Sequence, residues 1–219
     1  RNAYRKRIQT LDNSVSVFIL YIVLKKDSMP YFNCNYYRFL DHDVWAGTGY
    51  KDDWPRNYAV FTNASAKENE YARTLTAMTY MHFHEMEQWA DSYNVVSKEG
   101  DRGEGYEAFK LEKAEILIDK LEAQFPGLRH NIASYYTSTP LTYRDYIGTT
   151  DGSLYGIIKN YKDPLRSFVS ARTKVPNLFL TGQNLNMHGV LGVTIGAMVT
   201  CSEFLGHDYL MRKVNRANS

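Results

Sequence analysis

At 219 residues the chain is long enough to bury a core and to hold one or two domains. A hydrophobic share of 44% with 23% charged residues is that of an ordinary globular protein, and a formal net charge of +2 is too small to point to nucleic acid or to an anionic membrane surface. Cys34 and Cys201 stand alone, without CxxC or metal-ligand spacing, and do not suggest a secreted disulfide scaffold.

The basic stretch from Arg1 to Arg7 runs into Ile8, Gln9 and Thr10 rather than into the apolar core of a signal peptide, so the expected compartment is the cytoplasm. Ser14 to Leu24 begins by alternating and becomes continuously apolar, which predicts a long strand buried on both faces toward its end. Asp27 to Pro30 is a turn, with Tyr31 to Leu40 as a partner strand and Tyr58 to Thr62 as another. Asn63 to Glu70 reads as a loop and Thr74 to Tyr80 as a further strand. Short loops between strands point to an antiparallel or mixed sheet.

Helices follow. His84 to Tyr93 is short and carries a Trp. From Gly105, apolar Phe109, Ala114, Leu117, Ile118, Leu121 and Phe125 recur every three or four residues, which predicts an amphipathic helix stopped by Pro126 and Gly127. Gly100 to Gly105 lacks a preceding apolar strand and reads as a loop, not a dinucleotide fingerprint. Ile132 to Thr137 is a short strand, Thr139 caps a helical turn opening at Pro140, and a glycine-punctuated loop covers Gly148 to Gly156.

The aromatic share is 14%, with 18 tyrosines. A tyrosine-rich half-buried sheet and a tunnel for a long apolar ligand both account for it. His82, His84 and Glu85 are poorly spaced for a metal, so none is expected, and Ser153 lies outside a GxSxG elbow.

The richest segment is Val175 to Ala197. Leu178 to Thr181 reads as a short apolar strand that stops at Gly182, and from Leu191 the pattern is that of a helix buried against a sheet. Strand, glycine turn and helix bring backbone N–H groups to a ligand, and Gly189 and Gly192 permit close approach. Leu185 to Ser202 is 18 residues without a formal charge, but Asn186, His188, three glycines and two threonines make it a poor lipid-facing helix.

Asn177 to Gln183 with His188 to Val193 resembles the closing flavin motif of the phytoene-desaturase, carotenoid-isomerase and retinol-saturase group of FAD-dependent oxidoreductases. Thr139 to Tyr146, Gly152 to Gly156 and Tyr4 to Ile8 are similar to that group as well. The resemblance implies an α+β fold, with a mixed or antiparallel substrate-domain sheet and packed helices over residues 1–174. Residues 175–219 would be a strand–turn–helix remnant of the Rossmann-like FAD-binding domain. Gly182 and Gln183 would lie beside the ribityl and pyrophosphate part of FAD, and Gly189, Val190, Leu191 and Gly192 beside the isoalloxazine ring, with His188 either a further contact or hydrogen-bonded to a loop carbonyl. Gln183 stands where many relatives carry an acidic residue.

Tyr143, Arg144 and Asp145 are candidate proton donors near the flavin face, or Arg144 and Asp145 a structural pair. The substrate implied is a long isoprenoid, a carotenoid or retinoid, to be saturated, desaturated or isomerised, with NAD(P) as a candidate electron donor and contact with a membrane surface left open. The GxGxxG half is absent, so the chain is expected to be the carboxy-terminal part of a longer enzyme, inactive by itself. Alternatives are an amine- or porphyrinogen-oxidising relative, or a non-catalytic module binding an apolar ligand or a protein.

Overall fold

The computed structural model describes residues 2–63, 70–95 and 100–217 and has an α+β fold of helices and one antiparallel sheet. The chain divides into two compact units, Val15–Leu154 and Arg1–Ser14 with Tyr155–Ser219. The division therefore falls at positions other than 174/175 and groups the amino terminus with the glycine-rich segment.

In the larger unit five strands, β1 (Ser16–Leu24), β2 (Tyr36–Phe39), β3 (Asn57–Thr62), β4 (Thr74–Met81) and β5 (Ile132–Ser138), run in the order β2-β3-β4-β1-β5, every neighbouring pair antiparallel. One face is covered by the helix α2 (Glu104–Gln124), whose Leu117, Ile118 and Leu121 pack with Leu20, Ile22, Val60 and Leu75. The periodicity of α2 was legible because Ala114, Leu117, Ile118 and Leu121 line up on one side at three- and four-residue spacing.

The burial along β1 reverses the expectation. Ser16 to Leu20 is buried on both faces, and alternation starts at Tyr21. The cause is the loop after residue 149, which crosses the start of the strand: Ser16 Oγ donates to Gly152 O at 2.6 Å, and Leu154 N to Val15 O at 3.2 Å. The predicted partner strand Tyr31 to Leu40 shortens to the four residues of β2. His84 to Tyr93 becomes a 3-10 helix at Phe83–Trp89, anchored through Glu85, which accepts from Tyr50 Oη and from Lys113 Nζ, the latter at 2.7 Å. A short helix, α3 (Leu128–Asn131), leads into β5. Most of the predicted loop from Asn63 to Glu70 lies outside the described residues.

Thr139 caps α4 (Pro140–Ile147) as expected: its hydroxyl accepts from Leu141 N, and Thr142 Oγ1 accepts from Thr139 N, each at 3.2 Å.

The smaller unit holds α1 (Asn2–Gln9), α5 (Pro164–Ser167), α6 (Gly189–Leu205) and α7 (His207–Ala217) around a small core of Val169, Ala171 and Leu185, joined by Ile8, Leu11, Ile157 and Leu180. The strand expected at Leu178 to Thr181 is a single bridge, Arg172 with Phe179, extended by Leu180 N to Ala171 O at 2.8 Å. Asn177 adopts φ 61, turning the chain tightly between the two arms and leaving too few residues for a ladder. Nor is α6 the buried helix expected. Only Gly192, Gly196 and Thr200 are buried, one stripe against the segment 180–187, with Thr200 Oγ1 donating to Leu180 O at 3.0 Å. No described helix is long and apolar enough to cross a membrane.

Candidate functional site

The loop that enters α6 is built on the smaller core. Leu185 anchors it, and Asn184 ties it to residues 156–159: Asn184 Oδ1 accepts from Ile157 N at 2.9 Å, and Asn184 O accepts from Lys159 Nζ at 2.5 Å. Lys159 also reaches Ser167 O at 3.3 Å, and burial holds its ammonium below the ordinary lysine range. Gly156, at φ 72, is needed here, since a Cβ at that position would overlap the Asn184 amide. Beside this loop runs a groove of about 470 Å³ with apolar walls, Ile8, Ile157 and Leu180 among them, and Thr181 and Asn184 at its rim.

The seven loop and helix-start positions differ in what they offer. Gly182 (φ 105) and Gly189 (φ 75) face open space where a Cβ would stand. Gly192 does not: a Cβ there would meet Met187 C and Cβ at 2.7 Å, so its missing side chain lets the preceding loop close onto the helix. Gln183 is half-buried, and Val190 and Leu191 are among the most exposed apolar residues, at 85% and 73%. His188 occupies the N-cap without a capping bond from its ring, which lies 4.1 Å from the Tyr155 ring. Among the described residues no side chain caps the first amides of α6, at the positive end of a 17-residue helix.

Tyr143, Arg144 and Asp145 sit on α4 in the larger unit. Asp145 is fully buried and accepts from Arg102, from Arg144 Nε at 2.8 Å and from Asn94 N at 2.9 Å. Arg144 also donates to Ala90 O and Ser92 O. The two charged candidates are tied into one network that fixes the segment 90–94 and Arg102 against α4, the structural-pair reading of the sequence. Arg102, in the stretch read only as a loop, supplies the network's second cation from 43 residues away in the chain.

The uncovered face of the sheet carries part of the aromatic pattern of the sequence. Register places Tyr136, Tyr21, Thr76 and Phe61 in one row across four strands, with Tyr37 6.3 Å from Phe61 ring to ring. Tyr136 and Tyr37 are exposed at 67% and 62%. Aromatic rings with polar tips on a pleated face make a surface for a long apolar molecule. His82 and His84 stack at 5.4 Å, and His82 Nε2 meets Thr48 O at 2.7 Å; among the described residues no three His, Cys, Asp or Glu converge.

No family model matches the chain. It is 23% identical over 221 residues to an all-trans-retinol 13,14-reductase of Danio rerio, covering 93% of the chain and 35% of that protein. With the Homo sapiens protein of the same name it shares 27% over 203 residues, 87% of the chain and 33% of the relative. The chain is similar to retinol reductases. An inactive all-trans-retinol 13,14-reductase of Danio rerio is 26% identical over 155 residues, 69% of the chain and 25% of that protein. The chain spans about a third of the length of the first two of these curated relatives. The similarity supports the retinol-saturase-like side of the resemblance read from the motifs.

Proposed function

We propose that the protein containing these 219 residues is an FAD-dependent oxidoreductase that adds hydrogen across a C=C bond of a retinoid. The observation that carries this reading is the similarity to all-trans-retinol 13,14-reductases across 93% of the chain. What supports a flavin in the smaller unit is the side-chain-free edge left by Gly182 and Gly189 and, among the described residues, an α6 start without a side-chain cap.

In this reading Gly189, Val190 and Leu191 hold the flavin ring through backbone N–H groups, and Gly182 and Gln183 take the ribityl and phosphate portion. Bound FAD supplies the hydride chemistry, with NAD(P) as a candidate electron donor. The chain's own part is positional. The N–H groups at the start of α6 favour negative charge on the ring edge that they face. The Asn184–Lys159 clamp keeps the loop in register. The tyrosine row of the sheet gives a polyene an apolar surface while its hydroxyls remain hydrated. Arg144 and Asp145 have structural work in this reading, so the protons come from elsewhere.

The test uses the complete reading frame, purified with FAD, a reductant and all-trans-retinol, with products separated by chromatography. Retinol consumed with formation of a dihydro product is the expected outcome; unchanged retinol with flavin fully bound sinks the substrate assignment. Replacing Gly189 with Val tests the cofactor assignment separately. Flavin occupancy equal to wild type removes Gly189 from the site. The relative named inactive supports a second reading, a retinoid-binding protein without turnover. Retinol bound stoichiometrically and recovered unchanged would select it.

A further inference from the structure

At the β2 edge of the larger unit, on the side of the sheet that α2 covers, lies a small cationic pocket. It encloses about 180 Å³, and Arg38, Arg56, Tyr58, Lys120 and Gln124 are among its walls. Among the described residues none of the eight that line it is acidic. Residues 15–154 as a whole hold 14 Lys and Arg against 20 Asp and Glu, a net −6. In a unit of that charge, three cations around one cavity are a local arrangement and not a share of a basic surface.

The fold fixes each wall. Register sets Arg38 of β2 opposite Tyr58 of β3. Alternation puts Arg38 on the same face as Tyr36, whose ring meets that of Phe125, the C-cap of α2, edge-on at 5.3 Å. Tyr58 Oη donates to Lys120 O at 3.4 Å and so brings the last turns of α2 to this edge. Burial raises the Tyr58 hydroxyl above the ordinary tyrosine range, and the charge of Arg38 opposes the rise. Asp41 and Asp53, outside the lining, accept from Arg56 at 2.5 and 3.1 Å and orient its guanidinium. Arg38 and Lys120 have no anionic partner among the described residues.

We propose that this pocket binds the phosphate group of a soluble phosphate monoester. Two guanidinium forks and an ammonium present several charged N–H donors to one dianion, which gains more from them than a carboxylate does. The carboxyl end of α2 works against an anion there, and the Lys120 ammonium offsets it. At about 30 Å³ per water, the space takes a phosphate and the first atoms of its ester. It is well below the roughly 300 Å³ of sites that enclose a whole small molecule, so the rest of the ligand lies outside. The negative charge of the unit disfavours an anionic bilayer as the source of the phosphate. The tyrosine row occupies the opposite face of the sheet, and the proposal does not depend on the flavin or retinoid reading.

Isothermal titration calorimetry of the complete reading frame, in phosphate-free buffer, tests it with glycerol 3-phosphate, inorganic phosphate and glycerol. Saturable binding of both phosphates and none of glycerol is the expected result. Arg38→Gln and Lys120→Gln each lower the affinity about tenfold, the effect of one charge-assisted hydrogen bond, and together roughly a hundredfold. Lys26→Gln, at a side chain 92% exposed and outside the pocket, changes it less than about twofold. Arg38 and Lys120 are both exposed, so melting of their variants should match wild type. Absence of saturable heat, or a double variant within about threefold of wild type, overturns the proposal. So does binding of phosphatidic acid vesicles without binding of glycerol 3-phosphate, since the phosphate would then belong to a lipid.

Discussion

Asp145 decides between a structural and a catalytic account of α4, and Asp145→Asn is the perturbation that separates them. The carboxylate is wholly buried, and Arg102, its partner, is 5% exposed; Arg144 is 13% exposed. Asn preserves volume but has a single acceptor oxygen, so the change removes one charge and turns an NH2 donor toward either Arg144 or Arg102 and Asn94 N. Two buried guanidinium groups then lose their anion. Breaking a buried pair on one side costs about 3–5 kcal/mol, chiefly because the remaining charge has no compensation. For a chain of this size that corresponds to a fall in Tm of about 6–20 °C. Thermal melting followed by circular dichroism measures it. A double variant, Arg102→Met with Asp145→Leu, removes the anion together with one of its two cations and should recover part of the loss, since only Arg144 is then left without its anion. An Asp145→Asn protein melting within about 2 °C of wild type would refute the reasoning. The carboxylate would then be dispensable to the fold and available for chemistry.

Tyr50→Phe should lower stability at neutral pH by about 1–2 kcal/mol, since His82 N loses its acceptor and Glu85 one of its donors. Burial raises the Tyr50 hydroxyl above the ordinary tyrosine range, and the bond to Glu85 adds to this. A raised value gives stability that is present below about pH 10 and lost as pH rises beyond it. The alkaline decline measured by urea titration at a series of pH values should therefore be shallower in Tyr50→Phe than in wild type; equal slopes would contradict the assignment. Gly156→Ala should destabilise the smaller unit by about 2–4 kcal/mol, from left-handed backbone plus overlap with Asn184. Gly206→Ala, at φ 86 with nothing within 4 Å, carries only the backbone part, about 1–2 kcal/mol. Equal melting shifts for the two would remove the Asn184 contact from the argument.

Where local pattern and tertiary environment agreed, the sequence was sufficient. α2 was readable from its three- and four-residue spacing, and the start of α4 from Thr139 and Pro140, because both depend on neighbours within a turn or two. β1 was readable as a strand but not in its burial. Which end is covered depends on the loop near Gly152, 136 residues from Ser16. The Leu178 to Thr181 strand failed for a related reason: four apolar residues define a strand only if a partner supplies a ladder, and the turn at Asn177 permits one bridge. α7 was not legible, because periodicity was read as the sign of a buried stripe and no α7 residue is buried. An amphipathic helix with its apolar arc exposed gives the same periodicity, and nothing in sequence alone says whether that arc is covered.

The candidate site divides along the same line. Its four-residue segment Gly189–Gly192 contains two glycines of identical chemistry, and composition cannot tell them apart. Gly189 begins the helix at positive φ and faces open space, so an added methyl group would meet only what comes to the site. Gly192 has its missing side chain replaced by Met187, so a methyl group there would lift the loop from the helix. Alanine at 192 should therefore lower stability by about 1–3 kcal/mol whether or not a ligand is present. A bulky residue at 189 should act on ligand affinity beyond its backbone strain. The motif is consequently not a uniform binding surface but a contact point held in place by a packing point, and Asn184 and Lys159 extend that support toward residues 156–159. A site of this kind is specified by the partners of each glycine, and those partners come from loops that carry no motif of their own.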